Sequence, residues 1–195
     1  MIKVAITGNM GSGKSIVCFL FERLKVPVFY ADQEAKKLYS RPDIYQKMRL
    51  YFGRSVYDKQ KDIIPSKLAK RIFNKPEDLT FVNNLIHPAV YERFEEWLKE
   101  LKGSKYILYE AAILFETKSE SKFDKVILVS APEFLRIERI LSRDKSSLKA
   151  IKSRMEKQWP EEKKNAHSDF VIINDGKTML LPQILKIHRS LLESY

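Results

Sequence analysis

Eight residues near the amino terminus, Gly8-Asn9-Met10-Gly11-Ser12-Gly13-Lys14-Ser15, constrain this chain more than any other segment. They fit G-x-x-x-x-G-K-[ST], the pattern of a phosphate-binding loop. The flanks agree. Residues 2–7 are rich in side chains that suit a buried strand, and residues 15–24 carry Val17, Leu20, Phe21 and Leu24 at helical spacing. Strand, glycine turn, helix is the order in which this motif grips a phosphate; a bare glycine turn needs neither flank.

The residue types match the chemistry. Glycines let the backbone turn tightly, so that successive N–H groups point at phosphate oxygens. The positive end of the following helix favours the same anions. Lys14 reaches the β- and γ-phosphates of a nucleotide such as ATP, and the Ser15 hydroxyl ligates Mg²⁺. Gly8, Gly11, Ser12, Gly13, Lys14, Ser15 and Ile16 are therefore the expected nucleotide-binding residues.

A chain of 195 residues suits one α/β domain with room for a small insert. No apolar run is long enough to cross a membrane, and the chain enters its first strand at once, so no signal peptide is expected. Cys18 is the single cysteine, which fits a reducing compartment and the cytoplasm. One cysteine and three widely spaced histidines make a zinc site improbable. The net charge of +11 suits anionic partners. Because the basic residues are spread along the chain, it favours a nucleotide-handling enzyme over a nucleic-acid binder.

Five apolar segments read as strands: residues 2–7, 26–30, 106–110, 125–130 and 170–174. Most are continuous apolar runs, as in a parallel sheet covered on both faces. Helical patterns separate them, which predicts a doubly wound α/β sheet, a three-layer sandwich of the P-loop NTPase type. The gap between the second and third strands is too long for a plain crossover. It holds helix-like segments at 43–52, 66–73, 76–86 and 88–101, the last with Val90, Phe94, Trp97, Leu98 and Leu101 on one face. We read about 33–104 as a helical insert for the second substrate. A strongly basic stretch between the fourth and fifth strands is either a solvated helical face or, over about 136–167, a lid that carries arginines to the transferring phosphate.

Three features point from phosphate binding to phosphoryl transfer. Asp32 follows the second strand, where it either orients and deprotonates an acceptor hydroxyl or caps a helix. Glu110 ends the third strand, where it either holds Mg²⁺ through water or is an ordinary strand-end acid. Arg139 and Arg143 stand one helical turn apart, a spacing at which both guanidinium groups can face one phosphate.

With these residues in place the chain resembles the dephospho-CoA kinase family over nearly its full length. The resemblance rests on the 6–15 opening, on Tyr30-Ala31-Asp32 and on Leu85-Ile86-His87-Pro88-Ala89-Val90. It extends through Ala112-Ile113-Leu114-Phe115-Glu116, Arg139, Arg143, Arg154, Gln158 and Lys163 to the 168–174 segment. It implies transfer of the γ-phosphoryl group of ATP to the ribose 3′-hydroxyl of dephospho-CoA, giving coenzyme A and ADP. It further implies Asp32 as base, Arg139 on the donor phosphates, His87 and Glu116 at the acceptor, and Asn174 near the adenine. ATP and dephospho-CoA are then the partners, with no nucleic acid, no membrane and a monomer as the working expectation. The chain departs from the family pattern at Ile16, Tyr30, Ala112, Ser168 and Ile173, none of which removes a reacting group. A kinase of another nucleotide or nucleoside is the alternative on the same scaffold.

Overall fold

Three of the five apolar segments form strands with the expected bounds: β1 (Ile2–Thr7), β3 (Tyr106–Glu110) and β4 (Lys125–Ser130). The computed structural model describes residues 1–144 and 147–193, the side chains of Phe73 and Asn74 excepted. Lys145 and Ser146, inside the expected lid, and Ser194 and Tyr195 lie outside the described residues. The second strand, β2, is confined to Val28–Tyr30. Lys25 takes a left-handed φ of 65°, and Val26 N–H bonds back to Phe21 C=O at 3.1 Å, so residue 26 belongs to the helix-to-strand turn. The last strand, β5, is Phe170–Ile173 and stops one residue short of Asn174.

The strands pair in the order β2-β3-β1-β4-β5, all parallel. Side chains alternate between the two faces. Val4 and Ile6 of β1 join a cluster with Val17, Cys18 and Phe21 of α1 (Lys14–Arg23) and with Ile184 and Ile187 of the closing helix. Ala5, between them, packs on the other face with Leu114, Phe115 and Val126. The sheet is thus covered on both sides, which explains why its strands read as unbroken apolar runs.

The described residues divide into two compact units, 1–30 with 103–195 and Ala31–Lys102. The first holds the sheet and α1. The second is helical, with α2 (Ala31–Leu38), α3 (Pro42–Phe52), α4 (Pro65–Asn74) and α5 (Pro76–Glu100). Here the sequence reading needs a correction: residues 76–86 and 88–101 are one continuous helix that runs through Pro88. Proline inside a helix removes one hydrogen bond and crowds the preceding turn, at about 3 kcal/mol. Ile86, Ala89 and Val90 are buried around it, and burial worth about 1.5–3 kcal/mol for each larger apolar side chain offsets that cost.

Beyond β4 the first unit continues with α6 (Glu133–Arg143), α7 (Leu148–Met155) and α8 (Glu161–Ala166), and after β5 with α9 (Leu180–Glu193). α8 packs on β4, and α9 packs on α1 and β5.

Candidate active site

The glycine loop leaves β1 at the carboxyl edge of the sheet and enters α1 at Lys14. No acidic residue occupies the first turn of α1, so the positive end of its dipole is not neutralised from within. Two glycines are required by geometry. Gly13 has φ 91°, and a Cβ there would run into the Asn174 side-chain nitrogen. Gly11 has φ 83°, and its Cβ would sit 2.6 Å from the Arg136 carbonyl oxygen.

The loop is held from outside by its carbonyls. Asn174 donates through Nδ2 to Ser12 C=O at 2.7 Å. Arg139 donates to the same oxygen at 3.5 Å, to Gly11 C=O at 3.4 Å and to Asn174 C=O and Oδ1 at 3.1 and 3.3 Å. In a planar trans peptide the N–H points away from the C=O. With Ser12 C=O tied outward to Arg139 and Asn174, the Gly13 N–H is turned to the inside of the loop. Lys14 folds across the loop, its Nζ donating to Gly8 C=O at 3.0 Å and lying 3.9 Å from Glu110 Oε1. Glu110 is nearly buried at the end of β3, in register with Ile6.

Thr7 Oγ1, Asn9 Oδ1 and Ser12 Oγ are buried here with no protein partner among the described residues. Buried polar atoms of this kind ordinarily have partners. Two hydroxyl donors beside the inward-facing Gly13 amide and a lysine fit the oxyanions of a triphosphate. The exposed Ser15 hydroxyl, one residue into α1, and the Glu110 carboxylate are the oxygen donors a magnesium ion prefers. Ile16 is exposed on the next position of α1.

The structure brings Arg139 to the loop but not Arg143, whose guanidinium pairs with Asp144 at 2.9 Å and is two-thirds exposed. Asp144 in turn is held below the usual carboxylate range by that hydrogen bond. Arg136 is buried as well, donating to Ala131 C=O at 3.0 Å. Glu116 Oε1 accepts from Trp159 N–H at 2.8 Å and is ion-paired at 2.9 Å with Lys164, which has no exposed surface. Burial pushes the Lys164 amine below its ordinary range, against the pull of Glu116. Asp32 is the second residue of α2, exposed and inside the helix rather than at its cap. His87 is half-buried in α5, one residue before Pro88.

Sequence reasoning gave Gln158 no role and left Lys164 in a basic stretch read as either a solvated face or a lid. Gln158 takes a hydrogen bond from Met10 N–H at 2.7 Å and gives one to Ala112 C=O at 3.2 Å. Neither arrangement has a local signal, because each partner lies more than forty residues away in sequence.

A parallel sheet in this order, a glycine loop carrying lysine and serine into a helix, and an arginine pinned to that loop together define a P-loop phosphotransferase. The comparisons narrow the class. The family model for dephospho-CoA kinase matches residues 2–179. A dephospho-CoA kinase of Bacteroides fragilis is 38% identical, covering 95% of this chain and 91% of that protein. One of Chlorobium luteolum is 36% identical, covering 98% and 91%. The crystal structure of TT1252 from Thermus thermophilus superposes with a TM-score of 0.85 at 28% identity, over 99% of this chain and 97% of that one. The chain belongs to the dephospho-CoA kinase family, and its function is that of the kinase of coenzyme A biosynthesis. The alternative acceptors, another nucleotide or nucleoside, find no support in these matches. No helix among the described residues is long and apolar enough to cross a membrane.

Proposed function

We propose that this chain transfers the γ-phosphoryl group of ATP to the ribose 3′-hydroxyl of dephospho-CoA, with the glycine loop holding the donor and Asp32 holding the acceptor alcohol. The acceptor oxygen attacks the γ-phosphorus, the bond to the bridging oxygen of ADP breaks, and the hydroxyl proton passes to Asp32. The carrying observation is the loop itself: its carbonyls are tied outward by Arg139 and Asn174, with Lys14 across it. Phosphoryl transfer asks mainly for alignment and charge stabilisation, which is what such a cradle supplies.

Gly8, Gly11, Ser12, Gly13, Lys14, Ser15 and Ile16 surround the donor phosphates in this reading. Ser15, and through water Glu110, would hold a magnesium ion, which would supply neutralisation of phosphate charge. Arg139 adds positive charge at the loop and keeps its shape. Arg143 is restrained by one exposed ion pair, worth about 0–1 kcal/mol, so little opposes its moving to a phosphate oxygen. Asn174 flanks the nucleotide, while His87 and Glu116 serve the acceptor, Glu116 through the 159–164 segment that it anchors. The region about 136–167, read as the lid, closes over the phosphates from ends held by Arg139 at the loop and by the 158–164 segment at Glu116, excluding water during transfer. We place the enzyme in the cytoplasm as a monomer, in line with the buried free thiol of Cys18.

The test is Asp32→Asn. Removing a positioned general base lowers turnover by about 10²–10⁴-fold. Calorimetry should show ATP affinity unchanged within about twofold, since the donor site is intact. Near-normal turnover in the variant would take the base assignment away from Asp32.

A further inference from the structure

The glycine loop is pinned on a second flank, and that contact has no counterpart in the motif. Gln158 stands three residues beyond α7. Its Oε1 accepts from Met10 N–H at 2.7 Å, and its Nε2 donates to Ala112 C=O at 3.2 Å. The opposite amide orientation would set two donors against each other at Met10 and two acceptors against each other at Ala112. The partners themselves therefore fix which end is which.

We propose that Gln158 is a positioning residue for the phosphate grip: by fixing the Asn9–Met10 peptide it sets the direction in which the loop presents its amides to a nucleotide's phosphates. That peptide is held at both ends. Its N–H goes to Gln158, and its C=O accepts from Ser12 N–H at 3.0 Å. Three residues later the Ser12–Gly13 peptide is held by Asn174 and Arg139. The turn between these points is short and glycine-bearing, so each unpinned peptide could rotate at little cost. Gln158 supplies the restraint on the Met10 side, as Asn174 and Arg139 do on the other.

Gln158 is itself held on a fixed base. The next residue, Trp159, donates its N–H to Glu116 at 2.8 Å, and the ring of Trp159 stacks on buried Phe115. Lys164 ties the following helix to the same carboxylate. Removing the Gln158 amide therefore leaves the 159–164 segment attached while releasing Met10 N–H. Ala112 is two residues past Glu110, the acid beside Lys14, so the same side chain links the loop to the strand end that faces its lysine.

The inference rests on the loop being the nucleotide's phosphate site, and the experiment separates the two. Calorimetry on the full chain with ATP, ADP and adenosine compares the wild type with Gln158→Met, an apolar side chain of similar length. Loss of one ordinary orienting hydrogen bond should raise the ATP and ADP dissociation constants by about tenfold. Adenosine, which has no phosphates, should bind both proteins equally within about twofold. Hydrogen exchange at the Met10 amide should be faster in the ligand-free variant. Gln158→Asn, one methylene too short to reach both partners, should show the same split if Gln158→Met folds poorly. Unchanged ATP affinity in the variants, or an equal loss for adenosine and ATP, would overturn the proposal. A wild type that bound ATP no better than adenosine would instead overturn the reading of the loop on which it rests.

Discussion

Glu116→Gln tests how much of the first unit's stability hangs on one buried ion pair. Lys164 has no exposed surface, its Nζ is 2.9 Å from Glu116 Oε1, and no other acidic partner is recorded for it among the described residues. Glutamine keeps an oxygen for Trp159 N–H but removes the charge. Breaking a buried pair from one side costs about 3–5 kcal/mol, because the other charge is stranded. The ammonium has an escape, which is to lose its proton. From an ordinary value of 10.5, releasing it at pH 7 costs at most about 5 kcal/mol, at about 1.36 kcal/mol per pH unit. Part of that cost is already met in the wild type, where burial holds the amine low. The expected loss at pH 7 is therefore about 2–4 kcal/mol.

The sign of the pH dependence is fixed. A lysine whose folded value is depressed binds fewer protons folded than unfolded between that value and 10.5, so stability rises with pH across that window. The variant depresses the amine further, which widens its window. Its deficit should therefore be smaller at pH 9.5 than at pH 7.0. Urea unfolding at pH 7.0 and 9.5, followed by tryptophan fluorescence and circular dichroism with the slope m checked for constancy, measures both numbers. A variant as stable as the wild type at pH 7, or a deficit that does not shrink on raising the pH, would refute the reasoning.

Other expectations are simpler. Gly13→Ala places a methyl group against Asn174 in a left-handed backbone, so ATP binding should weaken by more than about tenfold. Adding Asn174→Ala should not restore full affinity, because the φ strain remains and the hold on Ser12 C=O is lost; full restoration by calorimetry would contradict this. Lys14→Ala should weaken ATP binding and turnover together, measured by titration and by ADP release. Burial holds His188 below its ordinary 6.5, with Tyr106 Oη 2.6 Å from Nδ1. Between that lowered value and 6.5 the unfolded chain binds the extra proton, so stability should fall on acidification through this window. His188→Phe should flatten that step in urea midpoints taken from pH 7 to 5.

The sheet and the glycine loop were legible because both obey local rules. Continuous apolar runs of strand length, punctuated by helical patterns, left little choice but a covered parallel sheet. The misses have physical causes too. Pro88 is a strong local breaker, but buried neighbours on either side keep α5 continuous. Val26 reads as strand, yet the left-handed turn at Lys25 directs it back to α1. At the site, Arg139 was expected on phosphates from its spacing, and its placement on loop carbonyls became visible only in three dimensions. Lys164 stood in a basic stretch that read as a solvated face or a lid, and its burial against Glu116 became visible only in three dimensions. Pairings between residues as distant as Met10 and Gln158 leave no trace in periodicity or composition.

The most direct measurement of the whole account follows ADP release with ATP and a panel of acceptors, with the site of phosphorylation read by ³¹P NMR. The account predicts turnover on dephospho-CoA, a new 3′-phosphomonoester, and at most background rates on nucleoside monophosphates and nucleosides. Turnover on a nucleoside monophosphate with none on dephospho-CoA, or phosphate delivered to another hydroxyl, would contradict it.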